Sequence, residues 1–538
     1  MAAARALACV LLLAVPALAG CLAPEPSAPR EAPDAPPDAG RLVAFAKLHT
    51  PEEIADLVAE IALLPGVLVR EIGRSIQNRP LHEVVVGSGP HVLWTVGRHH
   101  GNEPTGAEAI LLFLSILADP QARLPIDAPP ILHDVLAHRE LLLSRVTFVF
   151  VPAVNPDGAA AFRRGNANGV DLNRDYAAFS QPEPRAVRDA FWTHRPDTCL
   201  DLHNEGQSPQ FDWDAFAPLA LPESEIQEEL LAAGWRTVYE VDAAGGFGGG
   251  PNENYRVGDD GVARQVVWPD AFHPGTHDMF CSLRGAPGWT PESAISRSTD
   301  ADPSHAWGTR LHMVTVASAA FAAAGFYEGF VPPWVGKLDG AIGALGSDHL
   351  VDVPARGTAT FQVVWREDRA AEANLLPVRV EIEDPQGRVH EARPLMANAY
   401  TATVRFEDQS GGTYRVNVKG PPGLGYQVRA YLSPQQEPPV RALRTGAGVE
   451  IESAAGFPLA LRVTDVADAG TPATGAQSVE WNGTITPRAG FLWSFELAPG
   501  ERRVLAAPSE GNPGPFRWTA VDSEGRVATG VEAARSTA

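Results

Sequence analysis

Two histidines and a glutamate in this sequence have the types and the placement that one metal ion requires. The segment RHHGNEPTG at 98–106 lies between a predicted strand and a predicted helix. His100 and Glu103 are therefore three residues apart in a tight loop and can converge on one ion. Zinc takes nitrogen and oxygen ligands, and its catalytic sites combine three protein ligands with water. His203 ends a second predicted strand, in DLHN at 201–204, where it can supply the third ligand.

Each of these motifs alone also has a simpler interpretation. A His-x-x-Glu match is common in polar turns, and a single histidine at a strand end is more often structural. Further motifs stand between the two segments, namely NPDG at 155–158 and RRGNANGVDLNRDY at 163–176. In this order, HGNE, NPDG, GVDLNR and DLHN resemble the zinc carboxypeptidase family of the carboxypeptidase A/B type. The resemblance covers residues 45–330 and does not extend to the C-terminal region.

The resemblance implies a peptidase with one zinc ion per chain, held by His100, Glu103 and His203. It also implies that Asn173 and Arg174 bind the free C-terminal carboxylate of a peptide substrate. Arginine suits this role because its planar guanidinium pairs with a carboxylate through two parallel hydrogen bonds. Near the metal, Asp201 is a candidate partner for a histidine ligand, since such histidines usually donate their second N–H to a carboxylate.

The family's two remaining catalytic groups also have matches in this sequence. Arg164 falls where the family places the arginine that polarises the scissile carbonyl, and the adjacent Arg163 is the alternative. Glu292, in GAPGWTPES at 285–293, follows a strand-like stretch and precedes the last predicted helix. The resemblance implies that Glu292 is the general base that activates water.

One loop departs from the family pattern. The family usually presents a mobile tyrosine in a loop that corresponds to WPDAFHPGTHD at 268–278, and this segment contains no tyrosine. His273 could act as a substitute donor, and His277 is the nearest match to the family's specificity pocket. We therefore expect His277 to bind substrate. The departure leaves open an amidase or deacylase of the same fold that acts on peptidoglycan peptides or N-acyl amino acids.

Composition narrows the possible partners. The 538 residues include 43 basic and 65 acidic side chains, for a net charge of −22. We expect no nucleic-acid partner, because binding to phosphates needs basic patches on the protein surface. A different class of function, a non-catalytic surface lipoprotein that binds through its β modules, is weakened by the intact set of candidate metal ligands.

The N-terminus predicts export and a lipid anchor. Residues 1–20 form a signal peptide with an apolar core, and LAGC at 18–21 resembles the bacterial lipobox, in which Cys21 is lipidated. The alternative is an ordinary secretory signal with an incidental cysteine. Residues 21–41 are rich in Pro and Ala and predict an extended tether. Leu22 favours the outer membrane, facing either the periplasm or the outside.

Strands that alternate with helices predict an α/β fold, with a mixed central sheet flanked by helices, over residues 42–330. Short strand-like runs separated by turn residues predict all-β sandwich domains at 335–434 and 440–538. A helical pattern covers 222–235. Export makes a disulfide between Cys199 and Cys281 possible, and two buried free thiols are the equal alternative.

Overall fold

The computed structural model describes most of the chain from Lys47 onward. The described residues are 47–124, 128, 130–205, 212–215, 255–257, 263–265, 275–286, 288–294, 303–324, 334–366, 378–392, 400–434, 440–445, 448–465, 492–506, 516–521 and 527–532. Several predictions lie outside them: the signal peptide, the Cys21 anchor, the tether, the helix at 222–235 and most of the loop at 268–278. Among the described residues, no helix is both long and apolar enough to cross a membrane.

The N-terminal part of the described chain, residues 47–324, contains the helices and the larger sheet and is called the α/β region. Its helices are α1 Pro51–Ile61, α2 Thr105–Ala118, α3 Pro130–Ala137, α4 Arg139–Arg145, α5 Pro156–Ala160, α6 Pro182–His194, α7 His277–Ser282 and α8 Pro303–Ala323. Its strands are β1 Val67–Arg74, β2 Pro80–Val86, β3 His91–Gly97, β4 Val146–Val151, β5 Thr198–Glu205, β6 Asp212–Ala215, β7 Tyr255–Val257, β8 Ala263–Gln265 and β9 Gly288–Ala294.

Local sequence explains where α1 begins. The Thr50 side chain accepts a hydrogen bond from the backbone N–H of Glu53, and the Glu53 carboxylate accepts one from the Thr50 N–H. Helix α1 therefore begins where its own sequence provides a cap.

The central sheet has the strand order β1-β2-β4-β3-β5-β9-β6. The pairs β4–β3, β3–β5 and β5–β9 are parallel. The pairs β1–β2, β2–β4 and β9–β6 are antiparallel. Helices α2 and α8 cover one face, where their apolar side chains form a buried core with β3, β4 and β5. The predicted mixed α/β sheet is confirmed.

The register of the parallel strands brings their carboxyl ends to one edge. Gly97 at the end of β3 pairs with Leu202 of β5, and His203 pairs with Glu292 of β9. Open sheets of this kind bind ligands at the carboxyl ends of their strands. The loop after β3, the end of β5 and the middle of β9 therefore border one site.

Two antiparallel sheets follow the α/β region and enclose an apolar core between them. Their strands are β10 Trp334–Ala341, β11 Ser347–Val353, β12 Gly357–Trp365, β13 Arg379–Glu383, β14 Val389–Ala392, β15 Thr401–Gln409, β16 Gly412–Lys419 and β17 Gly425–Pro434. The orders are β10-β17-β12-β15 and β11-β16-β13-β14. We call this pair of sheets, residues 334–434, the first sandwich.

The last part of the chain is also antiparallel. Its strands are β18 Val440–Thr445, β19 Gly448–Ser453, β20 Leu459–Asp465, β21 Leu492–Leu497, β22 Arg502–Ala506, β23 Phe516–Val521 and β24 Val527–Glu532. They form sheets of order β18-β19-β22 and β21-β20-β23-β24. The additional antiparallel sheets agree with the fold class that the sequence predicts for the C-terminal part.

The first sandwich packs on the α/β region through a buried carboxylate. Asp197, directly before β5, accepts hydrogen bonds from the Val92 backbone N–H at 2.7 Å and from the Tyr431 hydroxyl at 2.7 Å. Lys337 forms an ion pair with it, and the Arg429 guanidinium lies 3.8 Å away. Arg429 is buried and also donates to three backbone carbonyls of the α/β region, those of Arg195, Pro196 and Gly285.

We predict that Asp197→Asn lowers the free energy of unfolding by about 3–5 kcal/mol, because it leaves the buried Arg429 charge and that of Lys337 uncompensated. Burial alone would raise the pKa of Asp197, but mainly Lys337 lowers it well below its ordinary value. The stabilisation is therefore present above about pH 4 and is lost as pH falls through the folded-state pKa.

Urea unfolding monitored by fluorescence measures the Asp197 effect. The matched control is Glu381→Gln in the first sandwich, which breaks a pair with Lys419 in which both side chains are at least 40% exposed. Exposed pairs contribute about 1 kcal/mol or less. Equal losses for the two variants would contradict the importance of the buried contact.

Candidate metal centre

Three side chains that are far apart in sequence meet at the end of β5. The Nδ1 atom of His100 lies 2.8 Å from one carboxylate oxygen of Glu103, and the Nδ1 atom of His203 lies 2.9 Å from the other. The two Nδ1 atoms are 3.1 Å apart. All three residues are buried, and their ligand atoms lie close enough together to hold one metal ion.

The loop after β3 owes its shape to a left-handed residue and a close backbone approach. Arg98 has φ of 59° and turns the chain sharply at the end of β3. Its buried guanidinium donates to the Gly101 carbonyl and to the His49 carbonyl. A Cβ atom at Gly101 would lie 2.0 Å from the backbone of Gly158, so glycine is required there. The HGNE loop and the NPDG segment therefore pack backbone to backbone.

A carboxylate stands behind each histidine. The Nε2 atom of His100 lies 3.0 Å from Asp171, and the Nε2 atom of His203 lies 3.0 Å from Asp201. A histidine that donates Nε2–H to a carboxylate keeps its Nδ1 lone pair for a metal. Asp201 thus occupies the position that the sequence suggested, and Asp171 supplies the equivalent partner for His100.

The electrostatics of this cluster favour a cation. Burial alone would raise the pKa of Glu103, but hydrogen bonds from His100 and His203 lower it to about 2. Burial would lower the pKa of His203, but Asp201 and Glu103 raise it well above its ordinary value. The Glu103 carboxylate therefore stays ionised, and its negative charge favours a cation at the cluster.

The donor set fits zinc. It consists of two imidazole nitrogens and a carboxylate, the ligand types found in catalytic zinc sites with an open fourth position. Donors around a tetrahedral zinc ion are about 3.3 Å apart, and the nitrogen and oxygen atoms of His100, Glu103 and His203 are separated by 2.8–3.1 Å. Expansion by a few tenths of an ångström is all that an ion would require.

Two arginines border the cluster. The Arg164 Nε donates to Asp171 at 2.9 Å and its Nη1 lies 3.4 Å from Glu103, while half of its side chain remains exposed. Arg163, the alternative at the sequence level, is exposed, and its position does not bring it into this set of contacts. Arg174 is also exposed and donates to the Asn173 carbonyl at 2.7 Å. Arg164 and Arg174 thus present guanidinium groups to solvent beside the cluster.

Two residues that are expected to bind substrate, Asn173 and His277, are buried in the structure. Asn173 is buried, its amide nitrogen lies 3.1 Å from the Nε2 atom of His203, and its oxygen accepts from the His277 backbone N–H. His277 is 0% exposed, and its Nε2 accepts from the Trp94 indole at 3.2 Å. Both side chains are buried among protein groups, and the expectation that they bind substrate stays a prediction.

Glu292 lies inside β9 and not after a strand as its flanking sequence suggested. Its backbone pairs in register with His203 on one side and with Asp212 of β6 on the other. The position of its side chain lies outside the described part of the structure, as does His273. The backbone alone brings Glu292 to the strand position beside a candidate metal ligand.

Sequence reasoning missed several groups that support the cluster. The His312 Nε2 on α8 donates to the carbonyl of His203 at 2.9 Å, and the Asn204 N–H donates to Glu103 at 3.0 Å. The Asn204 side chain bonds Thr105 at the start of α2. For Asp171, the rule that ligand histidines need carboxylate partners was a usable signal. For His312 the sequence carries no local signal, because α8 is distant in the chain.

The two cysteines of the α/β region are free and buried in the structure. Cys199 lies on β5 and Cys281 on α7, and burial raises the pKa of both thiols. Of the two alternatives that the sequence left open, the structure contains the pair of buried free thiols. They belong to the apolar core on the face of the sheet opposite α2.

Comparison with known proteins gives a family match and several distant relatives. Residues 62–234 match the family described as zinc carboxypeptidase. Carboxypeptidase SOL1 of Arabidopsis thaliana is 26% identical over 159 residues, which are 27% of this chain and 30% of that protein. Carboxypeptidase E of Caenorhabditis elegans is 31% identical over 125 residues, which are 20% of this chain and 24% of that protein. The chain thus spans less than a third of the length of these two relatives.

The comparison with solved structures gives matches that include two bacterial proteins. A metallo-carboxypeptidase from Burkholderia cenocepacia has a TM-score of 0.38 and 20% identity, covering 51% of this chain and 69% of that one. A metallo-carboxypeptidase from Pseudomonas aeruginosa, in complex with (2-guanidinoethylmercapto)succinic acid, has a TM-score of 0.38 and 22% identity, covering 51% of this chain and 68% of that one.

Proposed function

We propose that this chain, which belongs to the zinc carboxypeptidase family over residues 62–234, hydrolyses C-terminal peptide bonds of peptide substrates with one zinc ion. The observation that carries the proposal is the meeting of His100, Glu103 and His203 in one buried cluster. Each histidine has a carboxylate behind it, which is the arrangement that metal-ligating histidines use.

The three ligands would hold the ion through the Nδ1 atoms of His100 and His203 and the carboxylate of Glu103. When bound, zinc supplies a Lewis acid for the substrate carbonyl and lowers the pKa of a water molecule to about 7. Asp171 and Asp201 hold the two imidazole rings, and the Asn204 N–H holds Glu103. These contacts orient the ligands before substrate arrives.

Arg164 is the group that stabilises the developing oxyanion. Asp171 and Glu103 fix its guanidinium at the edge of the cluster, and its exposed half can face a substrate carbonyl. Loss of one such donor typically costs about 3–4 kcal/mol of barrier. Its contacts favour Arg164 over Arg163 for this role.

Arg174 binds the free carboxylate at the C-terminus of the substrate. Its side chain is exposed and donates to the carbonyl of Asn173, whose amide nitrogen lies 3.1 Å from the Nε2 atom of His203. A substrate carboxylate bound by Arg174 would bring the last peptide bond of the substrate to the ion, and the neighbouring Asn173, close to His203, supports this assignment. Specificity for a free C-terminus therefore depends on Arg174.

Glu292 is the general base. Its backbone lies beside His203 in the register of β9 and β5. It accepts a proton from the attacking water and later donates that proton to the leaving amine, so the peptide bond is exchanged for a carboxylate and an amine. Such proton transfers typically contribute about 100-fold to 10,000-fold in rate.

We predict that Glu292→Gln binds zinc as tightly as the wild type but loses at least about 100-fold in kcat. The amide cannot accept the proton from water, whereas the ligands are unchanged. Zinc content by atomic absorption and turnover of a C-terminal peptide panel measure the two effects. If Glu292→Gln keeps wild-type turnover, Glu292 is not the general base. If the wild-type enzyme stays active in the presence of a chelator, hydrolysis does not depend on a metal.

We predict that Arg174→Ala lowers kcat/KM for peptides with a free C-terminus far more than for the same peptides with an amidated C-terminus. The loss should be about 10-fold to 200-fold, as expected for a charge-assisted hydrogen bond of about 1.5–3 kcal/mol. Arg163→Ala is the matched control, because it removes an exposed neighbouring arginine. Equal losses on both peptide forms would favour the amidase or deacylase that the unusual loop at 268–278 leaves open.

We propose from the sequence that the chain is exported and anchored by lipid on Cys21, with the outer membrane as its site. The apolar segment that ends in LAGC at 18–21 and the Pro/Ala-rich stretch that follows support this proposal. Cys21→Ser is predicted to abolish incorporation of labelled fatty acid and to release the protein from the membrane fraction. Unchanged labelling in that variant would rule out Cys21 as the anchor.

A further inference from the structure

A chain of buried polar groups extends from His203 away from the metal cluster. The Asp201 oxygen not facing His203 lies 2.7 Å from the Nδ1 atom of His99, and the Nε2 atom of His99 lies 2.7 Å from the Tyr176 hydroxyl. His99 and Asp201 are 0% exposed and Tyr176 is 2% exposed. No solvent therefore competes for these bonds, and we call Tyr176, His99 and Asp201 the relay.

Hydrogen-bond chemistry gives the relay a direction. A carboxylate accepts only, so the Nδ1 atom of His99 carries the proton and donates to Asp201. The Nε2 atom of His99 then has a lone pair and accepts from the Tyr176 O–H. The second oxygen of Asp201 lies 3.0 Å from the Nε2 atom of His203, within ion-pairing distance. The Nδ1 atom of His203 faces Glu103 and His100, so it is the nitrogen that would bind a metal ion in place of a proton.

The geometry is more specific than ordinary core packing. The His99 ring is stacked on the His203 ring, with centroids 5.8 Å apart and 7° between the planes. Burying polar groups is costly unless each finds a partner, and an apolar side chain at 99 would fill the same space without that cost. We therefore attribute these polar groups to their effect on His203, which they reach through Asp201.

A second metal ion is the competing interpretation, because the ligand atoms of His99, Asp201 and His203 also lie near one another. Both nitrogens of His99 are already within hydrogen-bonding distance of protein groups, one at Asp201 and the other at Tyr176. An ion bound at His99 would displace one of those bonds. The observed contacts favour hydrogen bonding over a second ion.

We propose that His99 and Tyr176 are positioning residues that set the zinc affinity of the site, acting through Asp201 on His203. Neither residue touches the ion or the substrate in this role. The proposal rests on the zinc site proposed above, but it is independent of the substrate and of Glu292. Its measurable consequence is the dissociation constant of zinc and not the rate of hydrolysis.

The cleanest variant is Tyr176→Phe, which removes one hydroxyl and keeps the ring. Loss of one hydrogen bond to His99 should weaken zinc binding by about 3-fold to 10-fold. His99→Leu removes the whole relay behind Asp201 and should weaken it by about 10-fold to 100-fold. His99→Asn retains a donor that can reach Asp201 and should recover part of that loss.

The measurement is competition for zinc between the purified full-length chain and a chromophoric chelator, together with zinc stoichiometry and thermal unfolding of the metal-free protein. Tyr414→Phe is the matched control, because Tyr414 is a fully buried tyrosine of the first sandwich whose hydroxyl has no hydrogen-bond partner among the described residues. It should leave the zinc dissociation constant unchanged.

Graded loss of affinity in the order Tyr176→Phe, His99→Asn, His99→Leu, with one zinc per chain throughout, supports the relay. Wild-type affinity in Tyr176→Phe and His99→Leu overturns it, while the proposed function stands. If the wild-type chain binds two zinc ions and His99→Leu binds one, the relay is wrong and His99 belongs to a second metal site. A wild-type chain that binds no zinc overturns the proposed function and the relay together. Should His99→Leu fail to fold, Tyr176→Phe decides the question alone.

Discussion

The site depends on the register of three adjacent parallel strands, β3, β5 and β9. Because side chains alternate between the faces of a sheet, a slip of one residue would turn His203 away from the loop that carries His100. Both faces of β5 are packed, which fixes the register. Leu200 and Leu202 face the helices on one side, and Cys199 faces the aromatic core on the other. The position of His203 is thus set by the apolar packing of the residues that precede it on β5.

The same strand end concentrates negative charge where water is excluded. Glu103 and Asp201 are buried and Asp171 is partly buried, and an unpaired buried carboxylate is strongly unfavourable. Arg164 balances part of that charge, and protonated histidines can balance more of it when no metal is bound. A divalent cation bound by His100 and His203 would balance the rest, so the electrostatics and the geometry of the donor atoms favour the same ligand.

The sequence was sufficient for features that local chemistry determines. The capping box at Thr50, the alternation of strands and helices, and the proximity of His100 to Glu103 are all set within a few residues. The direction of a side chain after folding is different, because partners distant in the chain decide it. Asn173 lies in the motif that suggests substrate binding, yet it is buried, and its amide nitrogen lies 3.1 Å from the Nε2 atom of His203, 30 residues away.

Long-range contacts explain most of what was missed. His99 and Tyr176 are 77 residues apart, and Tyr431 bonds Asp197 across 234 residues. No periodicity or spacing in the sequence relates such pairs, since they exist only once the sheet and the first sandwich have formed. The predicted α/β fold with additional antiparallel β sheets is confirmed, whereas the way in which the first sandwich packs could not be predicted from the sequence.

That packing bears on how the site is held. Strand β5 is fixed at its start by Asp197, which contacts Lys337 and Tyr431 of the first sandwich, and near its end by His312, which donates to the His203 carbonyl. A functional group on a strand held at both ends is more rigid than one on a loop. Lys337 and Arg429 are cross-strand neighbours on β10 and β17, and both face Asp197. The first sandwich thus helps to hold the strand that carries the candidate ligand His203.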